Sequence, residues 1–424
     1  MSPFLRRGKD DFTRNITALD IGTELIKALV VRREGERDEE SGVVLGVGRE
    51  PQRVSAMSGG AVADLEAVID AANAAMEAAE DMAGVVPGQA VVGVAGELVK
   101  GFSSSIAYPR DRPQAGVKQS ELRNLLQLVQ KRALREAQHQ LELERGYGAE
   151  LEARLVHSAI TSVRMDGYPI SNPIGFQGRN LEITVFNTFC PMTHIGALET
   201  VVRELDLELT ASVAQPYAVA LACAGEEVME SGAIFVDVGG GTTDVALVRD
   251  GGVEGTRMFN LGGRAFTRRL AQTLGVSMDE AEARKLRHSE GLLPAEEDSR
   301  VGALIGADVE VLLQGLYLCL KELARGEVLP NSIFLCGGGS LLPELPAELG
   351  RATWASGLPF SRAPVARRLK PGDVHRLFDS TGQLTSPQDV GPMGLADHAL
   401  RAGSEDATVL STVMRGVLKS MRVS

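Results

Sequence analysis

Apolar and polar positions along this chain follow two periods. Short apolar runs broken by glycine predict strands, and stretches with apolar residues every three or four positions predict helices. Ile16 to Leu19 and Leu25 to Val31 are two such runs, joined by Asp20-Ile21-Gly22-Thr23. Ala233 to Val236 and Val245 to Val248 form a second pair, joined by Asp237-Val238-Gly239-Gly240-Gly241-Thr242-Thr243-Asp244. Strand, tight turn, strand, repeated in the two halves, predicts a duplicated lobe whose copies each carry one β-hairpin.

The remaining pattern fills in the lobes. Residues 16–50 read as three strands, with an acidic turn from Glu34 to Ser41 between the last two. An alanine-rich helix follows over Asp64 to Asp81, then a strand at Ala90 to Val94. The texture changes over residues 89–191. A strand at Phe102 to Tyr108 precedes a long polar helix, Lys118 to about Arg145, with Leu122, Leu125, Leu126 and Val129 at helical spacing. Strands at Leu155 to Arg164 and Leu181 to Phe189 close what reads as a small inserted subdomain.

The α/β pattern resumes at 192, with a helix at His194 to Leu205 and a strand at Glu208 to Val213. Helices at Gly263 to Leu274, Met278 to His288 and Val301 to Leu323 belong to the second half. The expected division is 15–88 and 192–230 for the first lobe, with 89–191 inserted. The second lobe takes 231–275, a helical subdomain 276–330, and 331–400 its end with a return to the first lobe. Residues 401–424 form a linker and a terminal helix.

Glycine tips carry the candidate chemistry. Without a Cβ the main chain approaches a ligand closely, so such a tip can aim backbone N–H groups and a hydroxyl at phosphate oxygens. Asp20 and Asp237 end the first strand of each hairpin, where a carboxylate suits a Mg²⁺ or a water better than the phosphates it repels. A third cluster, Cys336-Gly337-Gly338-Gly339-Ser340, follows the strand Ser332 to Leu335 and offers a flat surface for a purine or ribose. Neither G-x-x-x-x-G-K-[ST] nor G-x-G-x-x-G opens a helix, which excludes P-loop and dinucleotide readings.

Composition narrows the class. The 424 residues suffice for two domains or more, and a formal charge of −12 argues against binding nucleic acid by phosphate neutralisation. Cys190, Cys223, Cys319 and Cys336 show no C-x-x-C spacing, as expected of reduced core thiols. No stretch of about 18 apolar residues and no leader pattern is legible, so neither a spanning helix nor a signal peptide is expected. His157, His194 and His288 lack metal-ligand spacing. Arg264, Arg268 and Arg269 read as surface charges or filament contacts.

The tail has its own pattern. Val409, Leu410, Val413, Met414, Val417, Leu418 and Met421 fall on one half of a helix, with Arg415, Lys419 and Arg422 opposite. Gly416 and the valines weaken it as a helix in water, so an apolar phase should order it. Each basic residue near an anionic leaflet contributes on the order of 1 kcal/mol. Packing on the chain's own body is the competing explanation of the same stripe.

Asp20-x-Gly22-Thr23-x-x-x-Lys27, the Asp237 to Asp244 loop and Gly337-Gly338-Gly339 together resemble the two phosphate motifs and the adenosine motif of the actin fold. Leu261-Gly262-Gly263-Arg264-x-x-Thr267 is similar to that superfamily's step from strand to helix. Glu280-Ala281-Glu282-Ala283-Arg284-Lys285-Leu286-Arg287-His288, the segment His157 to Phe189 and the tail resemble the bacterial cell-division family FtsA, with similarity over roughly 15–424.

The resemblance implies an α/β, actin-like (ribonuclease H-like, duplicated) two-lobed ATP-binding fold with an inserted subdomain and an amphipathic membrane-targeting helix. By that carry-over Asp20, Gly22, Thr23 and Lys27 form the first phosphate grip. Asp237, Gly239, Gly240, Gly241, Thr242 and Thr243 form the second, with Asp20 and Asp237 holding Mg²⁺ through water. Gly263, Glu282, Lys285 and Gly337 to Ser340 hold the nucleoside. Gln215, before Pro216, is the candidate for positioning an attacking water, and slow or absent hydrolysis is expected.

Implied partners are the C-terminal peptide of FtsZ, contacted by 276–330, further copies in a filament, an anionic membrane surface, and other division proteins through the inserted subdomain. The implied place is the cytoplasmic face of the membrane at the division site. The tail lacks the aromatic anchors common in the family. Two alternatives share the fold: a PilM-like type IV pilus assembly protein, and a small-molecule kinase, for which no catalytic base is legible.

Overall fold

The computed structural model describes residues 14–35, 41–145, 152–351 and 353–405, together with Val413, Met414 and Val417. The first lobe opens with β1 (Asn15–Ile21), β2 (Leu25–Glu34) and β3 (Ser41–Pro51), an antiparallel meander. β1 is buried along its whole length and β2 at Ile26 and from Ala28 to Val31, because helices cover both faces of the sheet.

Helix α1 (Leu65–Ala83) starts at Asp64, whose side chain accepts from the Ala67 N–H. It stops at Gly84 in the left-handed region (φ 68°). Its buried face is mostly alanine, which lets it lie close on the sheet. β4 (Gln89–Val94) then pairs parallel with β1.

The insertion follows as β5 (Lys100–Pro109), α2 (Gln119–Arg145), β6 (Ala153–Met165) and β7 (Asn180–Pro191). Leu122, Leu125, Leu126 and Val129 all face its core, as their spacing predicts. Arg110 is buried and pins the loop before α2, with Nε 2.8 Å from Glu121 and Nη2 donating to the Ala115 carbonyl at 2.9 Å.

Helix α3 (Met192–Glu204) returns the chain to the first lobe, where β8 (Glu208–Ala214) pairs parallel with β4 and α4 (Gln215–Cys223) crosses toward the second. The short helix α5 (Glu226–Ser231) carries Glu226 and Glu227 in its first turn.

The second lobe repeats the first. β9 (Ala233–Val238), β10 (Thr243–Arg249) and β11 (Gly252–Phe259) form an antiparallel meander, and β12 (Ser332–Cys336) pairs parallel with β9. β13 (Val365–Arg368) then pairs parallel with β12. The orders β8-β4-β1-β2-β3 and β13-β12-β9-β10-β11 therefore correspond strand for strand, the geometric form of the duplication read from the hairpins.

Between β11 and β12 lie α6 (Gly263–Leu274), α7 (Met278–Ser289) and α8 (Ala295–Ala324). α8 starts six residues earlier than its apolar pattern, with Pro294 as N-cap and Glu296, Glu297 and Asp298 in its first turn. By length and composition α8 could cross a membrane, yet Ile305, Val309, Leu312, Leu316 and Leu320 build the second lobe's core. The short helix α9 (Glu344–Leu349) follows β12. β14 (Leu377–Asp379) goes back to the edge of the first sheet, and α10 (Val390–Glu405) packs on β1 and α4.

A strand pairing also joins the lobes. β5 pairs antiparallel with β11 through Phe102 opposite Gly255 and Gly101 opposite Thr256. The insertion leaves the chain inside the first lobe but continues the second lobe's sheet.

Candidate nucleotide site

The two hairpin tips meet across the cleft between the lobes. At the first, Asp20 stands opposite Lys27 and Ile21 opposite Ile26, which leaves Gly22, Thr23 and Glu24 at the turn. At the second, Val238 stands opposite Thr243, and the Gly239 N–H donates to the Thr242 carbonyl at 2.9 Å. A methyl group added at Gly241 would lie 2.7 Å from Thr23 Oγ1, and one at Gly240 would lie 2.3 Å from Glu24 Cγ. The absence of side chains on the second tip is what lets the first approach it.

Behind the tips is a cavity of about 570 Å³. Asp20, Gly22, Thr23, Lys27, Gln215, Asp237, Gly239 to Thr242, Gly263, Glu282, Lys285 and Gly337 to Gly339 all line it. Two residues from the sequence reading stand behind the wall. Thr243 is fully buried and donates its hydroxyl to the Leu261 carbonyl at 2.7 Å, and Ser340 donates to the Gly337 carbonyl at 2.7 Å. Thr242 and Thr243 are adjacent in sequence, so side-chain alternation sends only one toward the cavity.

The walls come from two local devices. The first turn of α6 is laid on the second tip, with the Gly263 N–H donating to the Gly239 carbonyl at 2.9 Å and the Arg264 N–H to the Gly240 carbonyl at 2.8 Å. Lys285 on α7 holds that turn from the other side. Its Nζ donates to the Gly263 carbonyl at 3.1 Å, to Thr267 Oγ1 at 2.8 Å and to the Glu282 carboxylate at 2.7 Å. Leu286 and Ser289 line the same end of the cavity. Neither is among the site residues expected from the sequence, although with Glu282 and Lys285 they share one helical face.

Gly337 adopts φ +78°, and a methyl group there would sit 2.1 Å from Asp237 Oδ1. The three-glycine turn is thus folded directly onto the second aspartate.

Three carboxylates crowd the base of the tips, Asp20 and Asp244 buried and Asp237 half-buried. Burial raises the pKa of Asp20 against the pull of Lys27, whose Nζ is 3.7 Å away. Burial likewise pushes Asp237 up to about 6, with Lys27 opposing and Asp20 adding to the rise. Asp244 is raised well above the ordinary range by burial and then by Asp237, and its Oδ1 has no hydrogen-bond partner. Such a crowd of buried acid favours a divalent cation held through water. Among the described residues no group of three or more His, Cys, Asp or Glu converges as a direct cage. Gln215, the first residue of α4, hydrogen-bonds to Asp20 and lines the cavity.

Arg264, expected from the sequence to be a surface charge or a filament contact, instead reaches across the cleft. Its guanidinium crosses the cleft to the Glu24 carboxylate, the Thr23 carbonyl at 2.9 Å and the Val54 carbonyl at 2.9 Å. The tail residues Val413, Met414 and Val417 are buried in the core of the insertion. Val409, Leu410, Arg415, Leu418, Lys419, Met421 and Arg422 lie outside the described residues.

Duplicated lobes, opposed glycine hairpins and a cavity between them define an actin-like fold. The chain superposes on a solved structure of a PilM-PilN type IV pilus biogenesis complex with a TM-score of 0.63, covering 91% of this chain and 98% of that one at 18% identity. In sequence the similarity is to cell division protein FtsA. Residues 234–367 match the family model of cell division protein FtsA. The chain is 26% identical to the FtsA of Agrobacterium fabrum over 386 residues, 81% of this chain and 82% of that protein. It is 27% identical to the FtsA of Pseudomonas aeruginosa over 374 residues, 82% and 83% of the two chains. The chain is similar in sequence to FtsA proteins over most of its length.

Proposed function

We propose that this chain is an ATP-binding division protein that polymerises on the inner face of the cytoplasmic membrane and tethers FtsZ there. The observation that carries the nucleotide reading is the pair of glycine tips opposed across the cavity. In that reading, main-chain amides from both lobes grip the phosphates, and Gly337 to Gly339 with Glu282 and Lys285 receive the nucleoside. Mg²⁺ would sit near Asp20 and Asp237, where its charge offsets the buried carboxylates. Gln215 beside Asp20 would orient a water, and hydrolysis at most slow is expected.

The division role rests on the FtsA kinship. The likeness to PilM concerns the scaffold, and sequence similarity to FtsA over four-fifths of the chain favours division over pilus assembly. For FtsZ, the groove between α8 and Trp354 is the best candidate. It offers an apolar floor of Leu313, Tyr317, Leu318 and Trp354 with Arg351 at its edge. The membrane contact is assigned to the apolar stripe Val409 to Met421 with its basic face.

Titration calorimetry with millimolar ATP and Mg²⁺ tests the core of this reading. Saturable heat that disappears without nucleotide is expected, and none on folded protein would overturn it. Co-sedimentation with anionic liposomes tests the tail, since deleting Val409 to Ser424 should abolish pelleting. Equal pelleting of the truncated chain would refute the membrane assignment.

A further inference from the structure

The described part of the tail has an occupation already. Val413, Met414 and Val417 are 1%, 4% and 0% exposed. They share one apolar cluster with Leu122, Leu125 and Val129 of α2 and with Ile183 and Val185 of β7. Their spacing, i, i+1 and i+4, is that of the stripe assigned to the membrane. A helix has only one such face.

The berth is not uniformly apolar. Gln130 Nε2 donates to Ser158 Oγ at 2.6 Å, and Ser158 donates to Asn187 Oδ1 at 2.8 Å. Met414 Sδ lies over this strip, 3.7 Å from Gln130 Nε2 and 3.9 Å from Ser158 Oγ. Gln130 is fully buried, and its Oε1 has no hydrogen-bond partner. A thioether is a weak acceptor, so water would serve these groups better than methionine does. Docking therefore carries a standing penalty that release removes.

We propose that the groove between α2 and the insertion's sheet is a resting berth for the chain's own C-terminal helix, so that berth and lipid compete for one apolar face. This rests on the reading of the tail as a membrane helix. A chain in solution keeps its stripe covered, and lipid binding uncovers the groove in the insertion, the region to which the FtsA resemblance assigns further division partners.

Competition predicts two results with the full-length protein. In a Gln130→Cys/Met414→Cys double variant, a short bis-methanethiosulfonate reagent should join the two positions in lipid-free solution. Vesicles of phosphatidylglycerol and phosphatidylcholine should suppress the joining. The cross-linked chain should lose vesicle co-sedimentation at least ten-fold, and reductant should restore it.

The second variant, Gln130→Leu, leaves the tail unaltered and removes the buried amide. It should fold, hold the tail more tightly and bind vesicles about five-fold more weakly. Absence of cross-linking, or equal pelleting of cross-linked and reduced chains, overturns the berth while leaving membrane binding intact. Failure of the reduced chain to pellet at any lipid concentration overturns the membrane reading and this inference with it. Efficient cross-linking in that case would make the tail a permanent part of the insertion's core.

Discussion

Arg264 and Glu24 face each other from opposite lobes, and their ion pair spans the mouth of the cleft beside both glycine tips. The arginine is nearly covered, with 11% of its side chain exposed, while Glu24 is 43% exposed. With Glu24 this open to solvent, the ion pair contributes little by itself. The further bonds to the Thr23 and Val54 carbonyls make Arg264 a three-point latch. It starts from the turn that rests on Gly239 and Gly240, so movement of the second tip is transmitted to the first.

Arg264→Ala should therefore act on ligand residence more than on stability. Loss of about 1–2 kcal/mol of cross-cleft contact predicts release of a fluorescent ATP analogue roughly ten-fold faster in stopped flow. The melting temperature should fall by only a few degrees. Arg264→Lys should recover little, because an ammonium cannot serve three acceptors set in a fork. An unchanged release rate would remove the latch from the nucleotide site.

Adjacent glycines separate folding from binding. Gly337 has positive φ and no room beside Asp237 and the Val238 carbonyl, so Gly337→Ala should cost about 2–4 kcal/mol and eliminate ATP binding. Beside Gly338 the nearest atom to an added methyl is Gln388 Oε1 at 3.8 Å, and its φ is not in the left-handed region. Gly338→Ala should melt like the parent and lose only affinity, by crowding the surface proposed to receive the nucleoside. Thermal unfolding and calorimetry on both variants check the contrast.

His288 joins three helices. Its Nδ1 is 2.7 Å from Asp298 on α8 and its Nε2 is 2.7 Å from Glu344 at the start of α9. Burial lowers its pKa, but the bonds to Asp298 and Glu344 outweigh that, and the net shift is upward. A raised folded pKa means the stabilisation is complete below the unfolded value of 6.5 and is lost as pH rises through the folded one. His288→Gln should cost about 2 kcal/mol at pH 6 and progressively less toward pH 8. A difference in melting temperature that stays constant across that range would count against a protonated bridge.

Much of this architecture is written locally. Gly22 and Gly239 to Gly241 mark hairpin tips because each interrupts a strand-forming apolar run, and Leu122, Leu125, Leu126 and Val129 mark a buried helix face. The joining of β5 to β11 has no such mark, since pairing of distant segments is decided by register. Arg264 misled for a related reason: two of its acceptors are backbone carbonyls in the other lobe, invisible in any local pattern. The tail shows a deeper limit. An amphipathic stripe specifies a face, and the same face fits a groove or a bilayer.

The opposite pH response should come from the junction between α10 and the insertion. His398 and His157 pack edge to ring at 5.0 Å, beside Tyr217 and Phe186. Burial pushes His398 down to about 4, with Arg401 adding to the shift, and burial also holds His157 well below its ordinary value. Neither Nδ1 has a hydrogen-bond partner. A depressed folded pKa gives stability that is complete above 6.5 and lost as pH falls through the folded value. A shift of this size corresponds to about 3 kcal/mol. Both imidazoles keep some solvent contact, which reduces the expected loss to about 1–2 kcal/mol. His398→Phe removes one titrating group and keeps an aromatic edge against Tyr217. Its acid-unfolding midpoint, followed by circular dichroism from pH 7 to pH 4, should move to lower pH than the parent's. A midpoint that stays put would show that titrating groups other than this pair govern the acid limit.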